Sequence, residues 1–254
     1  MSVEYAPKGL IGLLTPQANT TVEPEFSILL PPGYAHINAR LVSDKATIEE
    51  RLLDYLDVAE QVAGQFANAP VKALALGCTG SSYLAGRENE ERLLKRLGSS
   101  RGATAYTAAT ALADGLAHMG ARRIALATPY PDSLTRKSVA YWESHGLTVV
   151  KAAPVATDSA SFHPIYSLSA EQAGSVLDEL CSLQGVDAVV MLGTGMPTLA
   201  PLLNANRAGQ GAPVLSCMLC LAWKAVQIAT PDDYPMQSWL QGTHWAHRLE
   251  ALQR

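Results

Sequence analysis

The sequence predicts an α/β protein of two pseudo-symmetric lobes, each a mainly parallel sheet flanked by helices, with an active site in the cleft between them. Three observations carry this. Short apolar runs alternate with longer segments of helical period along the whole chain, the pattern of βαβ units. One motif is written twice: Leu74-Ala75-Leu76-Gly77-Cys78-Thr79-Gly80-Ser81-Ser82 leaves an apolar run for a small-residue turn, and Val190-Met191-Leu192-Gly193-Thr194-Gly195 does the same. Each copy follows a Thr-Pro pair that also ends an apolar run, with Thr15 63 residues before Cys78 and Thr128 65 before Gly193.

Taken in order, the apolar runs at 9–14, 34–42, 71–77, 103–107, 122–128, 147–151, 186–192 and 213–216 read as strands. The segment 45–68 reads as a helix, with Ile48, Leu52, Leu56 and Val62 on one face. Further helices are expected at 87–97, 108–119, 132–145, 169–184, 197–209 and 217–229, since parallel neighbours need such crossovers. Pro131-Asp132 marks a helix start, and Gly120 and Gly146 sit where helices stop. Cys181 falls within the apolar pattern of Val176, Leu177 and Leu180 and reads as core, and Cys217 and Cys220 read as the start of a buried helix. No low-complexity linker is visible, so the lobe boundary must be tight, near 107–120. The expected lobes are 1–110, with 230–254 crossing back to it, and 111–229.

Composition excludes several classes. The 254 residues suffice for a large core, and 48% hydrophobic and 17% charged residues with a net charge of −4 describe an ordinary enzyme. There is no basic excess to suit nucleic acid. Apolar stretches are broken well short of the ~20 residues that a membrane helix needs. Met1-Ser2-Val3-Glu4-Tyr5 lacks the basic and apolar regions of a signal peptide, so a cytoplasmic location with four reduced cysteines is expected. A metal site is not expected. Cys217-Met218-Leu219-Cys220 has no second cysteine pair, and His244 and His247 have no acidic or Cys partner nearby and read as polar surface.

Ligands in open parallel sheets bind beyond the carboxyl ends of strands, where both Thr-Pro turns and both glycine turns fall. A helix starting after each turn offers free N–H groups to a carboxylate or phosphate. Neither turn matches GxGxxG or GxxxxGK[ST], which disfavours nucleotides, and no cofactor is expected. Cys78 is the candidate catalytic residue: between glycines, after a buried strand and at a helix N-terminus, its pKa should be lowered. Asn19 reads either as a donor to a carboxylate or as an ordinary helix cap. Tyr130 holds the equivalent place in the second half and either donates to an oxyanion or packs its turn.

With these residues in view, the chain resembles the aspartate/glutamate racemase superfamily, in its branch of maleate cis-trans isomerases and arylmalonate decarboxylases. The resemblance rests on Asn19-Thr20-Thr21-Val22-Glu23-Pro24-Glu25, Asn38-Ala39-Arg40-Leu41, Gly77-Cys78-Thr79, Thr128-Pro129-Tyr130-Pro131-Asp132, Gly195-Met196-Pro197-Thr198-Leu199 and Pro213-Val214-Leu215-Ser216 with Trp223. These stretches run in order over nearly the whole chain and are specific as a set.

The resemblance implies one catalytic position on each side of a small mono- or dicarboxylate. Racemases and maleate isomerases carry Cys at both, and the decarboxylases only at the second. Here Cys78 matches the first position and Gly193 stands at the second, which argues against a two-base racemase. Thr79, the backbone of Gly80 and Ser81, Tyr130, and the Gly193-Thr194-Gly195 turn are implied to hold substrate carboxylates, and Asn19 matches the isomerases. A further polar residue that isomerases place near Ser159-Ala160-Ser161-Phe162-His163-Pro164 is not recognisable. Homo-oligomers are common in the family.

Two enzymatic readings follow. In the preferred one, the Cys78 thiolate adds to the double bond of a maleate-like dicarboxylate, the single bond rotates, and elimination gives the trans product. In the alternative, a malonate-like acid loses CO2 and Cys78 protonates the planar intermediate from one face. A third reading, a non-catalytic carboxylate-binding protein, applies if Cys78 is inert.

Overall fold

The computed structural model describes residues 3–156, 164–231 and 233–252. Eight strands appear where the apolar runs place them: β1 (Gly9–Pro16), β2 (Tyr34–Leu41), β3 (Val71–Leu76), β4 (Thr104–Thr107), β5 (Arg123–Thr128), β6 (Thr148–Pro154), β7 (Ala188–Met191) and β8 (Val214–Ser216). They form two four-stranded sheets of like order, β2-β1-β3-β4 and β6-β5-β7-β8, with every pairing parallel. The central strands are apolar without alternation because helices cover both their faces; Ile11, Leu13, Leu14, Ala125, Leu126, Val189 and Val190 expose no surface. The symmetry extends past the strand ends. Gly77 N–H donates to Leu14 O and Leu192 N–H to Ala127 O, each at 2.9 Å, so Cys78 and Gly193 hold equivalent places, one residue beyond a closed ladder.

Twelve helices are described: α1 (Val22–Leu29), α2 (Ile48–Ala63), α3 (Gly80–Ala85), α4 (Arg87–Arg101), α5 (Ala108–His118), α6 (Asp132–Ser144), α7 (Ala170–Gly174), α8 (Leu177–Cys181), α9 (Leu199–Ala208), α10 (Cys217–Ala229), α11 (Met236–Leu240) and α12 (Ala246–Leu252). The expected helix at 45–68 starts only at Ile48, where Thr47 and Glu50 form a capping box, and finishes as a 3-10 turn over 64–66. The expected helix at 169–184 is two short ones. Gly174 ends the first against Pro201 of α9, where an added Cβ would lie 2.8 Å from the proline ring, and Gly is a poor helix former. Cys217 and Cys220 open the buried α10 as expected, with no exposed surface. His244 is not surface: its ring packs on Tyr234 and Trp239 at 4.7 and 4.5 Å, and burial pushes its pKa down to about 4.

The two halves are joined by buried polar contacts as well as by α10, which packs on α1 and α5. Glu25 of α1 accepts from Thr198 N–H (2.6 Å), Leu199 N–H (3.3 Å) and the Thr198 hydroxyl (2.9 Å), satisfying the first turn of α9. Burial nevertheless pushes its carboxyl up to about 7, against these donors. Glu90 of α4 accepts from Thr107 (2.6 Å) and from Tyr141 of α6 (2.5 Å). No helix of the described residues is long and apolar enough to cross a membrane.

Candidate active site

The carboxyl ends of β1, β3, β5 and β7 converge on one cavity of about 850 Å3, lined there by Pro16, Cys78, Pro129 and Thr194 among others. Asn19, Thr79, Gly80, Tyr130 and Gly195 also line it, whereas Ser81 and Gly193 do not reach its surface. The sequence-predicted residues are thus gathered at one place. A shallow depression over Gln17, Glu23, Ser27 and Arg40 lies on the outer side of the first loop. Its Arg40 is committed to Glu23 and to the carbonyls of Pro16 (3.2 Å) and Asn19 (2.7 Å), so it braces the loop.

The turns of the two halves are stitched together. Thr194 Oγ1 donates to Gly77 O (2.8 Å), Asn19 Nδ2 to Thr194 O (3.2 Å) and Thr21 Oγ1 to Gly195 O (2.8 Å). Asn19 Oδ1 accepts from Thr21 N–H and Val22 N–H at 2.8 and 2.9 Å, the local bonding that leads into a helix. Both readings of Asn19 therefore meet in one side chain, since one Nδ2 proton remains beyond the contact to Thr194.

Cys78 is 4% exposed at the floor of the cavity, its sulfur 3.1 Å from Ser81 Oγ. Burial raises its thiol above the ordinary value near 9, opposed by the Ser81 hydroxyl and the N–H groups of Ser81 and Gly80. The expectation of a lowered pKa is thereby corrected. The helix behind the thiol, α3, has only six residues, too few peptide dipoles to outweigh desolvation. The Gly80 and Ser81 N–H groups, expected to face a carboxylate, are turned toward the sulfur. Because the thiolate is the reactive form, alkylation of Cys78 by iodoacetamide should rise about tenfold per pH unit through pH 9. Stopped-flow rates from pH 6 to 10 check this, and a plateau at or below pH 8 contradicts it.

Tyr130 presents its phenol to the cavity, with Oη 2.8 Å from Thr79 Oγ1 and its ring edge-on to Tyr83 at 6.0 Å. Gly193 has φ +91°, a left-handed conformation that favours glycine. The rest of the lining is largely apolar and aromatic, with Leu52 and Tyr55 of α2, Leu134 of α6, and Ile165 and Tyr166, and its polar members are Thr47, Glu49 and Arg51 at the start of α2. Sequence reasoning missed Tyr55 and Tyr166 as site residues. Tyr55 carried a usable signal, lying seven residues after Ile48 and three after Leu52 on one helical face; Tyr166 sits in a 3-10 turn with no periodicity to reveal it. The stretch around His163 lies outside the described residues. Among those described, no group of three or more His, Cys, Asp or Glu is placed to hold a metal.

Comparison with known proteins agrees with this geometry. The sequence model of the arylmalonate decarboxylase family matches residues 11–239. A maleate isomerase from Nocardia farcinica is 30% identical over 241 residues, spanning 85% of this chain and 88% of that protein, and one from Geobacillus stearothermophilus is 28% identical over 242 residues, spanning 88% and 93%. Among solved structures, a mutant Nocardia farcinica maleate cis-trans isomerase with a covalently bound succinylcysteine intermediate superposes with a TM-score of 0.75 at 25% identity, covering 87% of this chain and 92% of that one. Unliganded arylmalonate decarboxylase shares the fold, with a TM-score of 0.72 at 20% identity over 89% and 94% of the two chains. By these matches the chain belongs to the arylmalonate decarboxylase family, in the maleate isomerase and arylmalonate decarboxylase branch of the aspartate/glutamate racemase superfamily.

Proposed function

We propose that this enzyme isomerises a small cis-unsaturated dicarboxylate of the maleate type, with Cys78 as the nucleophile. The observation that carries the reading is the setting of Cys78: its sulfur lines the cavity at the end of β3 and is met from behind by the Ser81 hydroxyl and two backbone N–H groups. Those donors stabilise negative charge on sulfur when it attacks and again when it leaves. Two further findings support it: the maleate isomerases are similar over most of both chains, and one of them holds a succinylcysteine intermediate. Thr79, Tyr130, Thr194 and Gly195, with the spare Nδ2 proton of Asn19, supply the polar lining for a carboxylate; Gly193 and Ser81 act from behind the wall.

A decarboxylase reading has one observation of its own. The buried thiol is held protonated in the resting site, the state in which a one-sided acid must wait. Incubating purified enzyme with maleate and, separately, with aryl- and alkenylmalonates under NMR separates the two. Conversion of maleate to fumarate with the malonates unchanged is expected; release of CO2 from a malonate with maleate untouched would overturn the isomerase reading.

A further inference from the structure

Addition of a thiolate to one carbon of a double bond leaves an electron pair on the next carbon, and a proton donor on the far side of the site can receive it. Gly193 offers none there. A Cβ built on Gly193 would meet Ile165 Cδ1 at 2.9 Å, Pro129 Cγ at 3.2 Å and Tyr130 Oη at 3.3 Å. Of these three atoms only Tyr130 Oη bears an exchangeable proton. We propose that Tyr130, oriented by Thr79, is the acid–base residue for the carbon adjacent to the one that Cys78 attacks. This rests on the isomerase reading above and gives Tyr130 a chemical role beyond binding a carboxylate.

The surroundings fit such a task. Tyr130 lines the cavity, its ring is fixed edge-on against Tyr83, and its oxygen lies 2.8 Å from Thr79 Oγ1. Thr79 in turn precedes α3 and is almost fully buried. Behind it lies the fully buried Cys217, whose sulfur takes the Gly193 N–H and borders the Thr79 and Tyr83 hydroxyls. The phenol is therefore backed by protein hydroxyls and a thiol on its inner side. Burial holds it neutral, well above its ordinary pKa, so it waits as a donor.

Cys78 first gives its proton to solvent; Sγ⁻ then forms a C–S bond at one alkene carbon, and the π electrons move to the other, shared with its carboxylate. That carbon takes the proton from Tyr130 Oη, forming a C–H bond and leaving a phenolate that the Thr79 hydroxyl can hydrogen-bond. After rotation about the C–C single bond, the phenolate removes a hydrogen from the same carbon, the C–H electrons re-form the double bond, and the C–S bond breaks to return the thiolate. Attack from the Cys78 turn and protonation from the Gly193 side put the two new bonds on opposite faces. Reaching the trans alkene by the same geometry then requires loss of the hydrogen that the substrate brought.

The test is a single turnover of maleate in D2O, with enzyme in excess and equilibrated beforehand, followed by NMR for the wild type, Tyr130→Phe and Cys78→Ala. Wild-type fumarate should carry one deuterium. Tyr130→Phe should slow fumarate formation by about 100-fold or more, while its affinity for succinate, which binds without reacting, falls by no more than about tenfold, the loss of one hydrogen bond to a carboxylate. Wild-type fumarate free of deuterium means rotation without protonation at carbon and overturns the proposal. So does a Tyr130→Phe enzyme of wild-type rate, or one whose rate loss is matched by its loss of succinate affinity, which would be a binding role alone. Turnover retained in Cys78→Ala would instead overturn the isomerase reading itself.

Discussion

Replacing Cys78 with Ala should abolish turnover of whichever substrate the enzyme accepts, a fall on the order of 10⁴-fold or more, the scale seen when a nucleophile is removed. Cys181 is 8% exposed in α8 outside the cavity, and Cys217 and Cys220 are sealed in α10, so none of them can reach a substrate carbon in place of Cys78. The fold should survive. The thiol is a small group in a cluster with Leu76 and Leu93, and its deletion costs about 1 kcal/mol, less than the cavity left by a large apolar side chain. Cys78→Ser should be equally inactive, because a hydroxyl does not ionise in this buried setting. Cys181→Ala should keep wild-type kinetics. Progress curves beside thermal melts check all three; a folded Cys78→Ala enzyme with normal rates would place the chemistry elsewhere.

Installing a second thiol opposite the first should harm rather than help. Gly193 has φ +91°, where any side chain is strained, and its Cβ would press on Ile165 Cδ1 at 2.9 Å and on the Pro129 ring at 3.2 Å. Gly193→Cys and Gly193→Ala should therefore each lose about 1–3 kcal/mol of stability, the usual range for a side chain held in that conformation. Turnover should fall as well, since the same Cβ crowds Tyr130 Oη at 3.3 Å. Urea unfolding midpoints measure the first effect and steady-state rates the second; a Gly193→Ala enzyme as stable as wild type would show that the turn relaxes freely. The missing second cysteine is then more than a substitution: the turn here is built around glycine, with Ile165 and Tyr130 filling the space in front of it.

How far the sequence could be read follows from which forces are local. The central strands were legible because burial on both faces writes an unbroken apolar run, as in Ile11-Gly12-Leu13-Leu14 and Val189-Val190-Met191. The doubled turn was legible because glycine and Thr-Pro mark strand ends whatever surrounds them. The break between α7 and α8 was not, since it depends on Pro201 pressing on Gly174 from a distant helix. The direction of the Cys78 shift was misread for a similar reason. A helix start is visible in sequence, but the desolvation that outweighs it comes from α2 and the second half closing over the thiol. His244 looked like surface because nothing nearby in sequence announces that Tyr234 and Trp239 will enclose its ring.

If the Cys78 sulfur bonds to substrate carbon, acid-quench mass spectrometry of enzyme mixed with excess maleate should trap the bond. A peptide containing Cys78 should be heavier by one substrate molecule during turnover, a species absent from Cys78→Ala and absent with succinate, which has no double bond to attack. Steady conversion of maleate with every Cys78 peptide unmodified, at quench times shorter than one turnover, would contradict covalent attack by the Cys78 sulfur.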